Sequence, residues 1–162
     1  KNGHRQPLMP SIRETRRLGW SAQQMFDLVA DVGRYPEFLP WVVATRVRDA
    51  TDSGLTADML VGFKARREKF TSRVELDRPG SAIRVHYIDG PMRDLDNNWT
   101  FRDLPEGGCE ITFSVEFTFR NMMFEALAGQ YIDRAFRKMV AAFETRAGQL
   151  YGSSRSSAQS VA

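Results

Sequence analysis

The side chains able to do chemistry are few and scattered. The 162 residues include two histidines, His4 and His86, and one cysteine, Cys109. A metal site gathers several His and Cys ligands, and two histidines so far apart do not supply one. One cysteine excludes a disulfide within the chain, and its expected place is a small strand residue. Asp31, Asp58 and Glu144 stand beside apolar runs. Their positions fit a cap, a solvated strand face and a solvated helix face. No Gly-rich phosphate loop, nucleophile elbow or CxxC is present. No catalytic residue, metal or required cofactor is assigned, and the chain is expected not to be an enzyme.

Two stretches carry more. In the first, Asp31 to Trp41, four large apolar groups (Tyr35, Phe38, Leu39 and Trp41) share seven residues with Pro36 and Pro40. Two prolines exclude a regular helix or a central strand, yet such side chains each gain about 1.5–3 kcal/mol from burial. The segment is either a hydrophobic plug on the core or a lid over an apolar cavity. In the second, Gly90-Pro91 sets a turn or bulge ahead of Leu95, Asn97, Trp99 and Phe101, which share one face of a strand.

The surrounding pattern supplies the elements. Residues 9–19 read as a charged strand suited to a sheet edge. Ser21 is a plausible N-cap, and Met25, Phe26, Leu28, Val29 and Val32 recur at helical spacing behind it. A short helical or turn segment follows, then six runs of period-two alternation. Their apolar positions include Val43 and Val47; Met59 and Phe63; Phe70 and Val74; Ile83, Val85 and Tyr87; Trp99 and Phe101; and Phe113, Val115 and Phe117. Short turns between them imply an antiparallel meander. From Met122 to Tyr151, Phe124, Leu127, Ala128, Tyr131, Ile132, Ala135, Phe136, Met139, Val140, Phe143, Ala147 and Leu150 form an apolar stripe that recurs every three or four residues. A helix of this length spans about 45 Å and is the one element able to cover the sheet.

Net charge is +3, but residues 1–20 hold five basic residues against Glu14, leaving 18 basic and 19 acidic in the remainder. A nearly neutral body argues against general nucleic-acid binding, and no DNA partner is expected. No apolar run is long enough to span a bilayer. Residues 1–8 are set apart as a terminal remnant, 9–152 as one domain, and 153–162 as a polar, disordered tail after Gly152.

The two stretches, with Ala142-Phe143-Glu144 and Arg146-Ala147, resemble the coenzyme Q-binding START-like family of the polyketide-cyclase and lipid-transfer superfamily. The motifs occur in the family's order across residues 9–152. Val42 stands where many members carry cysteine and Met92 where phenylalanine is common. The resemblance implies an α+β helix-grip fold: a curved antiparallel sheet of about seven strands wrapped round a long C-terminal helix, with two short helices after the first strand.

It also implies an isoprenoid quinone, ubiquinone, as bound ligand, carried or chaperoned without chemistry in support of respiration. The lining is expected from Phe63, Val74, Val85, Tyr87, Trp99, Phe113, Val115, Phe136, Met139, Val140 and Phe143, with Tyr35, Phe38, Leu39 and Trp41 at the mouth. Tyr35, Tyr87 or Asn97 would supply a hydrogen bond to a quinone carbonyl. The expected location is cytoplasmic, at the periphery of the inner membrane, or the mitochondrial matrix in a eukaryote, with transient contact to a membrane surface. Bacterial relatives are described as ribosome-association toxins, so the large ribosomal subunit is an alternative partner. Lys64, Arg66, Arg67, Lys69 and Arg73 would meet its phosphates. A polyketide cyclase or aromatase is a further alternative, resting on the superfamily alone.

Overall fold

The computed structural model describes residues 11–153 apart from Lys64 and Asn121, and within them not the side chains of Phe63 or of 122–133. Expectations for residues 1–8, for the tail beyond Ser153, for Lys64 and for the side chains of Phe63, Met123, Phe124, Leu127, Ala128, Tyr131 and Ile132 lie outside the described residues.

Seven strands form one sheet: β1 (Ser11–Leu18), β2 (Val42–Thr51), β3 (Gly54–Phe63), β4 (Arg66–Asp77), β5 (Ala82–Asp89), β6 (Met92–Asp103) and β7 (Cys109–Phe119). The order is β1-β7-β6-β5-β4-β3-β2, with every neighbouring pair antiparallel. The chain starts on one edge and crosses through helix α1 (Ala22–Ala30) and a 3₁₀ segment (Val32–Glu37). It then meanders back until β7 pairs with β1. Helix α2 (Met122–Tyr151) covers the concave face. This is the α+β helix-grip arrangement that the alternation and the long stripe require.

Local chemistry explains the boundaries. Ser21 accepts a hydrogen bond from the Gln24 backbone N–H (3.1 Å), and the Gln24 side chain accepts from the Ser21 N–H (2.9 Å). This capping box satisfies two of the donors a helix start leaves open. The α2 C-terminus docks on α1: Tyr151 donates to the Gln24 carbonyl (3.1 Å) and Trp20 Nε1 to the Gly152 carbonyl (3.0 Å). Gly152, at φ +82°, closes α2 in the left-handed conformation that glycine adopts freely. Two positions of the expected stripe are exposed: Ala135, and Leu150 at 50%. Ala135 is small and leaves little apolar surface uncovered. Leu150 lies in the last turn, where Tyr151 makes the docking contact instead.

On the edge strand β1, Glu14 and Arg16 pair opposite Phe113 and Ile111, whose side chains face the core. They therefore point to the concave side. Arg16 donates to Glu144 of α2 at 2.6 Å and lies 3.5 Å from Glu14. Glu144 is thus half-buried in an ion pair, not on a solvated helix face. Inward-pointing charge also discourages edge-to-edge pairing.

Candidate functional site

The concave face is built from alternate residues of six strands. Trp99 pairs opposite Ile83 and Phe113, Asn97 opposite Val85 and Val115, and Val74 opposite Leu55 and Val85. The cover over this face is uneven. Where the β2–β3, β4–β5 and β6–β7 turns lie, Leu55, Val74, Ile83, Trp99, Phe101 and Ile111 are all buried. Toward the other end, along β3 to β6, Met59, Phe70, Val85, Tyr87, Leu95 and Asn97 are only half-buried. β7 stays covered throughout, with Val115, Phe117 and Phe119 all buried. The apolar face is therefore open to one side of the helix, at one end of the sheet.

The C-terminal half of α2 closes the filled end through rings. Phe136 lies 5.4 Å from Phe113, and Phe113 lies 4.6 Å from Trp99. Phe143 sits 5.6 Å from Trp99, 5.4 Å from Tyr35 and 5.2 Å from Phe38. Mostly edge-to-face, these contacts suit the ring quadrupoles. A void of about 20 Å3 remains among Met25, Val29, Trp99, Phe113, Val140 and Phe143. Met139 is half-buried on the same half of the helix.

The proline-punctuated segment is pinned over this seam. Tyr35 is half-buried within it and donates to the Val29 carbonyl, one of the acceptors that the end of α1 leaves without a helical partner. Burial, then the nearby Asp31 charge, raises the Tyr35 pKa well above the usual phenol value. Leu39 is buried, while Phe38 and Trp41 are half-buried. Arg146 lies over the Phe38 ring at 5.3 Å and pairs with Glu37. Asp31 makes no side-chain cap and pairs with Arg34 at 3.1 Å.

The structure brings Val74, Val85, Tyr87, Trp99, Phe113 and Val115 onto one face, with Phe136, Met139, Val140 and Phe143 above it. Tyr35 and Phe38 meet Phe143 at the filled end, while Leu39 and Trp41 lead into the start of β2, beside Val42 and Gly62. Met59, Phe70 and Leu95 line the open part and were not among the expected site residues. The alternation of β3, β4 and β6 already put them on the apolar face; nothing in that pattern told which part of the face would stay uncovered.

Two polar groups stand in the open part. Tyr87 donates to the Met92 carbonyl (3.1 Å) and accepts from the Met92 N–H (2.9 Å), and burial raises its pKa. Gly90 permits this approach: at φ +151°, a Cβ there would come within 2.8 Å of the Tyr87 hydroxyl. Asn97 accepts from Trp99 Nε1 (3.0 Å), and its amide nitrogen donates to the Ser114 carbonyl (2.9 Å). Trp99 can only donate, which fixes which end of the amide is oxygen. The second Asn97 N–H remains for a further acceptor between Val85 and Val115. His86 lies on the convex face, 2.9 Å from Glu75. Cys109 is fully buried on β7, and burial pushes its thiol up to about 11. Among the described residues no three His, Cys, Asp or Glu side chains cluster to hold a metal ion, and no helix is long and apolar enough to cross a membrane.

The family described as polyketide cyclase/dehydrase and lipid transport matches residues 18–144, which takes in the concave face and most of α2. The chain belongs to this family. It is 38% identical over 141 residues to a ribosome association toxin, RatA, of Pseudomonas aeruginosa, covering 87% of this chain and 97% of that one. It is also 33% identical over 154 residues to a mitochondrial coenzyme Q-binding protein, COQ10 homolog B, of Xenopus laevis, covering 90% of this chain and 63% of that one. The solution structure of an 18 kDa Caulobacter crescentus protein superposes with a TM-score of 0.73 at 36% identity, covering 90% of this chain and all of that one. Val42 and Met92, the two positions at which the sequence motifs differ from the expected pattern, both carry buried apolar side chains.

Proposed function

We propose that the protein binds an isoprenoid quinone or a similar hydrophobic lipid between the concave face and α2, and carries it without transforming it. The observation that supports this most is the uneven cover. Met59, Phe70, Val85, Tyr87 and Leu95 leave apolar surface accessible in the grip of the sheet, and an apolar ligand gains about 25 cal/mol per Å2 by covering it. Asn97 supplies the single directed donor that a carbonyl requires, in keeping with pockets that are mostly apolar with few polar anchors. The Xenopus relative is named for coenzyme Q binding.

Organic extraction of protein purified from a quinone-replete host, followed by mass spectrometry, should release a near-stoichiometric isoprenoid quinone. Protein that emerges empty and refuses added quinone would overturn the reading.

A second reading, association with the large ribosomal subunit, is favoured by the names of the bacterial relatives and by one row of the convex face. Arg48, Thr56, Arg73 and His86 stand side by side on β2 to β5. Arg48 is bound to Asp58 at 3.0 and 3.2 Å, while Arg73 donates to Thr56 (3.2 Å) and the Asp49 carbonyl (3.3 Å). Co-sedimentation with large subunits that weakens steeply with salt is the expected result for this reading; its absence removes it.

A further inference from the structure

The two ends of the sheet differ in charge as well as in cover. The open end carries the β3–β4 and β5–β6 connections and the end of β7. There Arg66, Arg67, Lys69, Arg93 and Arg120 stand with Glu68, Asp89 and Asp94. Arg66 lies 3.8 Å from Glu68, Asp94 accepts from the Leu95 N–H, and Arg120 donates to the Met92 carbonyl. Arg67, Lys69, Arg93 and Arg120 are all exposed. At the filled end, residues 49–54, 75–84 and 102–110, with the end of β1 paired to them, hold seven carboxylates against Arg17, Arg78, Arg84 and Arg102. The molecule is polarised along its strands, basic where the apolar face is open.

Two β-bulges add a second feature at the same end. One, between Val42 and Ala44, turns Val43 outward, 40% exposed. The other lies on β5, where Ile88 is the extra residue and is 57% exposed. Bulges re-aim side chains in this way.

We propose that the basic open end docks on an anionic lipid bilayer, with Arg67, Lys69, Arg93 and Arg120 against lipid phosphates and Ile88 and Val43 entering the headgroup region. The proposal rests on the reading of the concave face as a lipid site. A lipid passing between bilayer and protein then keeps its apolar surface out of water, because the opening faces the membrane. The aliphatic tips favour a bilayer over RNA: the headgroup boundary accepts apolar side chains beside cations, whereas single-stranded nucleic acid uses cations and aromatic stacking.

The test is co-sedimentation with large unilamellar vesicles of phosphatidylcholine, with and without about 30 mol% phosphatidylglycerol. Binding is expected only to the anionic vesicles, and to weaken several-fold between about 0.1 and 0.5 M salt. Each cation removed from the surface should weaken partitioning about fivefold, so Arg67→Glu and Lys69→Glu should each lose at least that. Arg84→Glu, the same charge change at the other end, should stay within about twofold of the parent. Ile88→Ser should weaken binding with the charge unchanged. Equal losses from Arg84→Glu and Lys69→Glu, or equal binding to both vesicle types, would overturn the proposal. So would tighter binding to polyuridylate than to anionic vesicles, which would give the basic end to RNA. Quinone content is read separately on the same preparations. Docking by a protein that neither holds nor accepts quinone supports the surface and overturns the cargo; loading from detergent without docking does the reverse.

Discussion

Tyr35 shows how a single hydroxyl can fix a segment that has no regular structure. Its ring packs on Phe38 and Phe143, and its hydroxyl satisfies the Val29 carbonyl at the end of α1. Tyr35→Phe keeps the ring contacts and leaves that carbonyl short of a donor. The expected cost is about 1 kcal/mol in urea unfolding, with the fold unchanged by circular dichroism. On the convex face, Asp58 accepts from Arg48 and from Thr71 (2.8 Å). The Arg48 hydrogen bond, then the Thr71 one, lowers its carboxyl from 3.8 to about 2. A depressed folded pKa stabilises above the unfolded value and loses that contribution as pH falls through the folded one. Urea midpoints of Asp58→Asn should therefore lie below the parent at neutral pH, and the gap should close between pH about 4 and about 2.

At the scale of elements, α2 does two jobs along its length. Its C-terminal half is sealed by the buried Phe143 and Ala147, with Phe136 packed on Phe113, and is tied to β1 by Arg16–Glu144 and to the proline-punctuated segment by Arg146. Val140 lies on this sealed half, at a void with room for about one water. Val140→Lys should lower stability by roughly 1–3 kcal/mol, since the site has little space for an ammonium group, or, if the fold holds, should impair quinone loading. A variant neutral in both measurements would place the inner face of the helix elsewhere. The segment 31–41 was open between plug and lid. The structure packs Val32 and Leu39 into the core and sets Tyr35 and Phe38 against Phe143, while the exposed part of the apolar face lies along β3 to β6.

For the whole molecule, topology decides what is open. Because β1 and β2 are the two sheet edges and β7 lies beside β1, one helix cannot cover both the β7 side and the β3–β5 side equally. If quinone fills the difference, the loaded protein is the more stable form by mass action. Its melting temperature should fall after organic extraction and recover on adding quinone, alongside the stoichiometry that extraction reports.

Much of this was legible in the residues. Period-two alternation marked the apolar side of β3 to β7, down to Asn97 falling in line with Trp99 and Phe101; on β2 it marked Val43 and Val47, which are exposed, because a bulge after the buried Val42 shifts the register. The stripe from Met122 to Tyr151 fixed the helix, Ser21 its predecessor's start, and the shared motifs pointed to the family. These are local properties, set by side-chain direction and caps. What lay beyond them is collective. Glu144 reads as solvent-facing on its helix until β1 brings Arg16 to it. A body of nearly balanced charge reads as neutral until antiparallel strands collect Arg67, Lys69, Arg93 and Arg120 at one end and carboxylates at the other. The alternation marks Met59 and Phe70 as inward, but only the placement of one helix across seven strands decides that they are left half-covered, because exposure depends on what packs above a residue and not on its neighbours in sequence.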